Sequence, residues 1–351
     1  MAAAAALAAC SSSGGSSSSS GGSAAGAASS TPATMTNVTL AIATYSGNYG
    51  PYLTAIDKGY YTAAGLNVRL VQASGATSIP GLISGGITFA AAAASAPPAI
   101  LKGYKIKVVS VNVDSPPYLI VAEKSITSLK ALAGKSLGVQ SKGDSTQIVA
   151  DEYLTKEGLP KGSVTDIALG GTSARIAALT SGAIPAIVAN PQDLQTLQER
   201  GKAANFRVLG SVQGVIQFPI AGTVVSDSLL SSNPSLVKAF LLATAKGEEY
   251  FLTHQSYSVG LLASKAQEST AAATADFQDT GTWPTCACLS SSMQSAVIAA
   301  YASANKASPV PASTAYSFSM VSSIYPSIIT GSGGNVVKDQ LPQTSTLTVA
   351  P

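Results

Sequence analysis

The stretch at residues 39–71, TLAIATYSGNYGPYLTAIDKGYYTAAGLNVRLV, constrains the fold more than any other part of the chain. Thr39-Leu40-Ala41-Ile42-Ala43 is a short, unbroken apolar run, the pattern of a strand covered on both faces in a parallel sheet. It ends in a polar loop, residues 44–50, with glycines for tight turns and the tyrosines Tyr45 and Tyr49. Pro51 then stands where a proline opens a helix without losing a needed N–H. Tyr52, Ile56 and Tyr60 give that helix one apolar stripe. Gly65 fits a left-handed helix cap, and Asn67-Val68-Arg69-Leu70-Val71 a second strand. Together these form a right-handed βαβ unit whose loop opens at the carboxyl edge of the sheet, where open α/β folds bind ligands.

The same grammar repeats downstream. Residues 87–91 and 106–113 read as strands, while Ser74-Gly75-Ala76-Thr77 and the small-residue run to Ser95 open helices between them. Asp114-Ser115-Pro116-Pro117 breaks the fourth strand. A second set begins at Tyr118, with strands at 118–122, 136–139, 164–169, 184–189 and 208–212 and a helix at 125–132. Polar loops at 140–146, 170–173 and Asn190-Pro191 stand at helix starts, and Gln217-Phe218-Pro219 leads into a return crossing at 220–225. Ser232-Asn233-Pro234 caps a long helix running to about residue 252. Helical patterns follow at 259–267, 293–304 and 314–329, with the single tryptophan, Trp283, in a loop among them. These readings give a first lobe over 36–114 and 221–335, a second over 115–220, a leader and linker over 1–35 and a tail over 336–351.

Charge excludes some partners. With 20 Lys+Arg against 17 Asp+Glu, a net +3, and no basic run, the chain has nothing to neutralise a nucleic-acid backbone. Although 46% of residues are hydrophobic, no apolar stretch reaches the roughly 20 residues of a spanning helix. Leu7-Ala8-Ala9-Cys10 resembles the lipobox of bacterial lipoproteins, whose cysteine is lipidated after cleavage, and the Ser/Gly/Ala run at 11–30 suits a flexible tether. Cys10 is therefore the expected membrane anchor, although the basic region of an ordinary signal peptide is absent from 1–9. Cys286 and Cys288, with one residue between them and no histidine nearby, read as free thiols or a local disulfide rather than a metal site. The single histidine, His254, sits at a helix end and supports no Ser/His/Asp or Cys/His arrangement. No catalytic residue, metal or cofactor is expected.

Ala55-Ile56-Asp57-Lys58-Gly59-Tyr60-Tyr61 followed by Gly65-Leu66-Asn67-Val68 resembles the A-x-x-K-G-Y/F-F-x-x-x-G-L-x-V signature of nitrate/sulfonate/taurine-type ABC-transporter substrate-binding proteins, relatives of the pyrimidine-precursor binders. LKALAGKSLG at 129–138 and ALTSGAIPA at 178–186 resemble two later landmarks of that family, with Ala131 and Pro185 where its members carry Asp. The resemblance runs from Val38 to about Ile329. It implies an α/β, type II periplasmic-binding-protein fold: two lobes, each a mostly parallel sheet flanked by helices, joined by hinge crossings near 114–117 and 217–222 and closing on ligand. It also implies an extracytoplasmic lipoprotein of a bacterial membrane, not an enzyme, that hands a small organic or anionic solute to an ABC permease.

Carried across by position, the implied ligand contacts are Tyr45, Ser46, Asn48, Tyr49, Ser74, Thr77 and Ser95 from the first lobe. Ser141, Asp144, Ser145, Thr146, Thr172 and Asn190 come from the second. Hydroxyls and N–H groups at helix starts suit an anion, whereas Tyr45, Tyr49, Phe218 and Trp283 suit an aromatic solute. Any one of the serines or threonines is equally a helix cap; their clustering at strand ends favours binding. If Tyr49 faces the cleft, its loss weakens binding and spares the free protein, and if it is core the reverse holds. Two other classes share the fold: an enzyme related to thiamine-pyrimidine synthesis, whose histidines and cysteine-rich motif are missing, and a sensing domain, which needs an attached effector.

Overall fold

The structure of this chain, a computed structural model, describes residues 35–199, 201–278, 283–284 and 286–329. Cys10, residues 1–34 and the tail at 336–351 lie outside the described residues. The chain opens with β1 (Thr36–Ile42), α1 (Gly50–Asp57), α2 (Tyr60–Ala63), β2 (Leu66–Gln72), α3 (Gly75–Ile83), β3 (Phe89–Ala91), α4 (Ala96–Leu101) and β4 (Ile106–Val108). It continues through β5 (Leu119–Glu123), β6 (Ser136–Val139), α5 (Ser145–Lys156), β7 (Thr165–Ala168), α6 (Thr172–Thr180), β8 (Ala186–Ala189), α7 (Pro191–Glu199) and β9 (Phe206–Ser211). After β10 (Thr223–Ser226) come helices only: α8 (Asp227–Ser232), α9 (Pro234–Thr253), α10 (Gln255–Ala266), α11 (Thr270–Gln278), α12 (Ser291–Ala304), α13 (Ala312–Ala315) and α14 (Ser319–Ile329).

Two five-stranded sheets result, in the orders β2-β1-β3-β10-β4 and β7-β6-β8-β5-β9. Each has a parallel core, β2-β1-β3 and β7-β6-β8, and one strand that runs against its neighbours, β10 in the first and β5 in the second. β1 is an interior strand paired with β2 and β3, and its successive residues Leu40, Ala41 and Ile42, which point to opposite faces, are all buried, so both faces are covered as the unbroken apolar run requires. The chain passes between the sheets twice, at 109–118 and 212–222. The passages pair with each other: Val113 forms an antiparallel bridge with Ala221, Ile220 N–H donates to Val113 O at 2.8 Å, and Phe218 N–H to Asp114 O at 2.6 Å.

Some local expectations change. The helix expected at 125–132 is one short 3-10 turn, Leu129–Leu132, because the Ser128 hydroxyl caps it at one end and left-handed Gly134 stops it just beyond the other. The helix after β1 divides into α1 and α2 at Gly59, whose φ is +71°. α11 has no apolar stripe and rests on the helix propensity of its alanines, so periodicity does not announce it. The pattern at 314–329 divides because Tyr316 turns extended and bridges to Val108, with Ser317 N–H donating to Val108 O at 3.0 Å.

The first core is built around α9. The Phe240 ring stacks on Phe89 at 3.8 Å and on Tyr61 at 4.9 Å, tying α9 to β3 and α2. α1 approaches α9 backbone to backbone at Gly247, where a Cβ would stand 2.2 Å from Pro51 O and 2.9 Å from Ala55 Cβ. Gly→Ala in a helix interior ordinarily stabilises by about 1 kcal/mol. Here the clash outweighs that gain, and Gly247→Ala should destabilise by about 1–3 kcal/mol in urea unfolding. A variant more stable than the parent would refute the close approach.

Candidate functional site

The loop after β1 is held at both ends. Ser46 is extended, a 3-10 turn at Gly47–Tyr49 leads into α1, and Gly47 N–H donates to Asp276 Oδ2 of α11 at 2.6 Å. Ser46 and Tyr49 are buried, while Tyr45 and Asn48 are half-buried. Asn48 Oδ1 is itself buried and has no hydrogen-bond partner among the described residues, which leaves an acceptor facing inward. Burial is the main cause of a strongly raised Tyr49 hydroxyl pKa; nearby Tyr118 adds to it and hydrogen bonding with the Ala43 backbone opposes it. Ser74 and Thr77 are exposed and bond each other, Thr77 Oγ1 donating to Ser74 O at 3.0 Å. Ser95 lies over the same helix start, its Oγ 1.9 Å from where a Cβ on Gly75 would be.

In the second lobe, most of the hydroxyls and Asp144 act as caps. Asp144 Oδ1 accepts from Thr146 N–H at 3.0 Å, Gln147 N–H at 3.2 Å and Thr146 Oγ1 at 2.7 Å, while Oδ2 accepts from Ser141 Oγ at 3.2 Å. Asp144 thus closes the first turn of α5 instead of presenting a bare carboxylate. Thr146 Oγ1 also accepts from Gln140 N–H at 2.9 Å. Ser145 points elsewhere, its hydroxyl 3.3 Å from that of Tyr118. Thr172, which opens α6, accepts from Asn190 Nδ2 at 3.5 Å and from Arg175 Nη2 at 3.2 Å.

Arg175 is 2% exposed. Its other hydrogen bonds run from Nε to Val188 O and from Nη1 to Gly170 O, both at 2.8 Å, so among the described residues it donates only to neutral acceptors. Burial lowers its pKa; Tyr118, Asp193 and Asp144 nearby partly offset this. Arg175 is thus a buried cation held by two carbonyls and a hydroxyl at the start of α6, with the Asp144 and Asp193 carboxylates in electrostatic reach.

These groups converge through three tyrosines. Tyr118 enters β5 and lies within electrostatic reach of Tyr49, Asp144, Arg175 and Tyr301; burial pushes its hydroxyl up to about 12. Tyr301 of α12 is buried, packs on Phe218 at 5.3 Å and donates to Ala94 O beside Ser95. The first-lobe residues Tyr49 and Tyr301 and the second-lobe residues Phe218, Asp144 and Ser145 therefore share one neighbourhood. Ser74 and Thr77 stand outside it. Trp283 is 4% exposed and packs on Phe251, whose ring in turn covers Gly50, so it backs the loop from within the core. The lobes touch on either flank: Asn305 Nδ2 of α12 donates to Gly143 O at 3.2 Å, and Ser269 Oγ to Glu199 Oε1 at 2.5 Å.

Tyr118, Tyr301 and Arg175 were not singled out from sequence. Each had a weak signal: a tyrosine directly after a Pro-Pro break, a lone aromatic in an Ala/Ser helix, and an arginine within the small-residue run ARIAAL. His254 caps the end of α9, Nδ1 lying 3.1 Å from Tyr250 O, with its ring stacked on Tyr250. Among the described residues no group of three or more His, Cys, Asp or Glu is arranged to hold a metal ion.

Comparison with known proteins agrees with this architecture. A family model described as NMT1/THI5 like matches residues 46–257. The riboflavin-binding protein RibY of Chloroflexus aurantiacus is 26% identical over 227 residues, a match that covers 61% of this chain and 62% of RibY. The alkanesulfonate-binding protein SsuA of Xanthomonas axonopodis pv. citri, solved bound to MOPS, aligns with TM-score 0.66 at 15% identity over 82% of this chain and 99% of SsuA. The ligand-binding component of an ABC-type import system from Staphylococcus aureus, solved with zinc bound, gives TM-score 0.68 at 14% identity over 82% and 98%. The desulfurization enzyme DSZB gives TM-score 0.58 at 14% identity over 83% and 99%. The two-lobed periplasmic-binding-protein fold is common to this chain and the binding proteins among these structures.

Proposed function

This chain belongs to the NMT1/THI5-like family, and from that membership we propose that it is the extracytoplasmic solute-binding component of an ABC importer. It captures a small organic or anionic solute between lobes at 36–114 with 221–335 and at 115–220, closes about the crossings, and delivers the solute to a membrane permease. Cys10 anchors it to the membrane through lipid. One observation carries the reading: strand ends and helix starts of two sheets meet at a buried group of tyrosines with Arg175 behind it, and just two paired passages join the sheets. An anion suits this place because, among the described residues, Arg175 donates to neutral groups there. The names of the relatives, which bind riboflavin or alkanesulfonate, point to the same two solute classes.

A thermal-shift panel of alkanesulfonates, nitrate, small carboxylates, pyrimidines and flavins tests it. A bound solute at about a hundred times its Kd adds about 2.7 kcal/mol, a rise of several degrees for a protein of this size. Arg175→Met should abolish the rise for anions and keep it for neutral compounds. A panel with no shift at all would sink the reading. A second reading, an enzyme of the same fold, is favoured by the likeness to DSZB. Incubating each stabilising compound with the protein and looking for a product by mass spectrometry separates the two.

A further inference from the structure

Cys286 and Cys288 are joined by a disulfide. Their Cα atoms are 5.0 Å apart, against about 7 Å for two residues of extended chain, so the bond holds the segment contracted. Between them Ala287 has φ +45°, left-handed backbone that a residue with a Cβ seldom adopts. Ala287 is fully buried, and its carbonyl accepts from Val111 N–H at 2.8 Å. Val111 lies in the first passage between the sheets. Its neighbours are held from the opposite side: Asn112 and Val113 N–H donate to Ala221 O, and a Cβ on Gly222 would stand 2.8 Å from Val111 Cα. The first passage is thus gripped by the second on one side and by Ala287 on the other. Immediately after the disulfide, Ser290 caps α12, the helix whose Asn305 reaches Gly143 in the other lobe. Both cysteines are half-buried, open in part to a small thiol.

We infer that the Cys286–Cys288 disulfide is a thiol-exchange site whose redox state controls the anchoring of the first passage through Ala287. A dithiol supplies the electrons. Its thiolate attacks one sulfur, breaking the protein S–S bond and forming a mixed disulfide; its second thiol then attacks that bond, leaving Cys286 and Cys288 as thiols and the reductant as a cyclic disulfide. Two electrons and two protons pass to the protein. With the bond broken, Ala287 relaxes toward negative φ, its carbonyl turns from Val111, and a buried N–H loses its acceptor. Any effect on solute capture rests on the binding reading above; the local switch does not.

The test is amide exchange by NMR on the full chain, before and after dithiothreitol, with alkylation and peptide mass analysis to show that Cys286 and Cys288 have become thiols. Val111 N–H should exchange roughly tenfold faster or more after reduction, while Asn112 and Val113, held by Ala221, change far less. Cys286→Ser with Cys288→Ser should reproduce this without reductant. Adding Ala287→Gly should restore slow exchange, because glycine takes positive φ without a covalent restraint. If the serine pair does not fold, the reduced parent protein still gives the answer. A disulfide that excess dithiothreitol leaves intact in the folded protein, Val111 exchange unchanged by reduction, or no rescue by glycine would each overturn the inference. Because none of these readouts involves a solute, they fail independently of the thermal-shift panel.

Discussion

Raising the pH from about 5 to about 9 should remove about 4 kcal/mol of folding stability through one side chain, Glu248, and Glu248→Gln should lose almost none of it. Glu248 sits on the inner face of α9, 4% exposed. Its Oε2 accepts from Asn112 Nδ2 and, at 2.6 Å, from the Tyr325 hydroxyl of α14. Tyr52 OH donates to Asn112 Oδ1 at 2.9 Å, so α1, α9, α14 and the first passage meet at this carboxyl. Burial raises its pKa from 4.5 to about 8 and outweighs the two hydrogen bonds, which pull it down. The sign follows from proton counting. Between the two values the folded protein keeps a proton that the unfolded chain has released, so stability is full below about 4.5 and falls as pH rises through about 8. Asp151, raised to about 6 by burial and by Asp166, acts in the same direction with less effect, being more exposed. Urea unfolding of the parent and of Glu248→Gln across the range isolates this carboxyl's contribution, and parallel profiles would show that Glu248 makes none.

That network shows why part of the fold was readable and part was not. β1, its loop and α1 were legible because their signals are local: an apolar run, glycines, and a proline at a helix start. The same holds for the left-handed Gly65 and for Asn233 as a cap. Asn112, Glu248 and Tyr325, by contrast, are brought together from positions 136 and 213 residues apart, and no local pattern marks a glutamate as buried. Arg175 was hidden for the same reason. Asp144 opens α5 from its loop, and its oxygens serve the helix behind it; a D-S-T-Q run is read as a cap as easily as a contact. For Cys286 and Cys288, spacing left free thiols and a disulfide open, and only the backbone turn at Ala287 brings the sulfurs together.

Tyr49→Ala should cost the free protein about 3–5 kcal/mol, whereas Tyr45→Ala, from the same loop, should cost far less. Tyr49 is 9% exposed and belongs to the continuous core that includes Tyr52, Tyr118 and Phe251, while Tyr45 is only half-buried at its edge. Truncating Tyr49 removes a ring from a packed place and leaves a cavity, which a loop tied down by Asp276 cannot readily collapse to fill. A contact role is then measured with a smaller change. Tyr49→Phe keeps the ring and deletes the hydroxyl, so it should lower stability by about 1 kcal/mol. If the hydroxyl also holds the solute, affinity for whichever compound the thermal-shift panel selects should fall by more than that, since its partner is left unsatisfied in the complex. Equal losses in stability and affinity would make Tyr49 a core residue only. A Tyr49→Ala protein as stable as its parent would instead free the ring from the core and make it an open wall of the cleft.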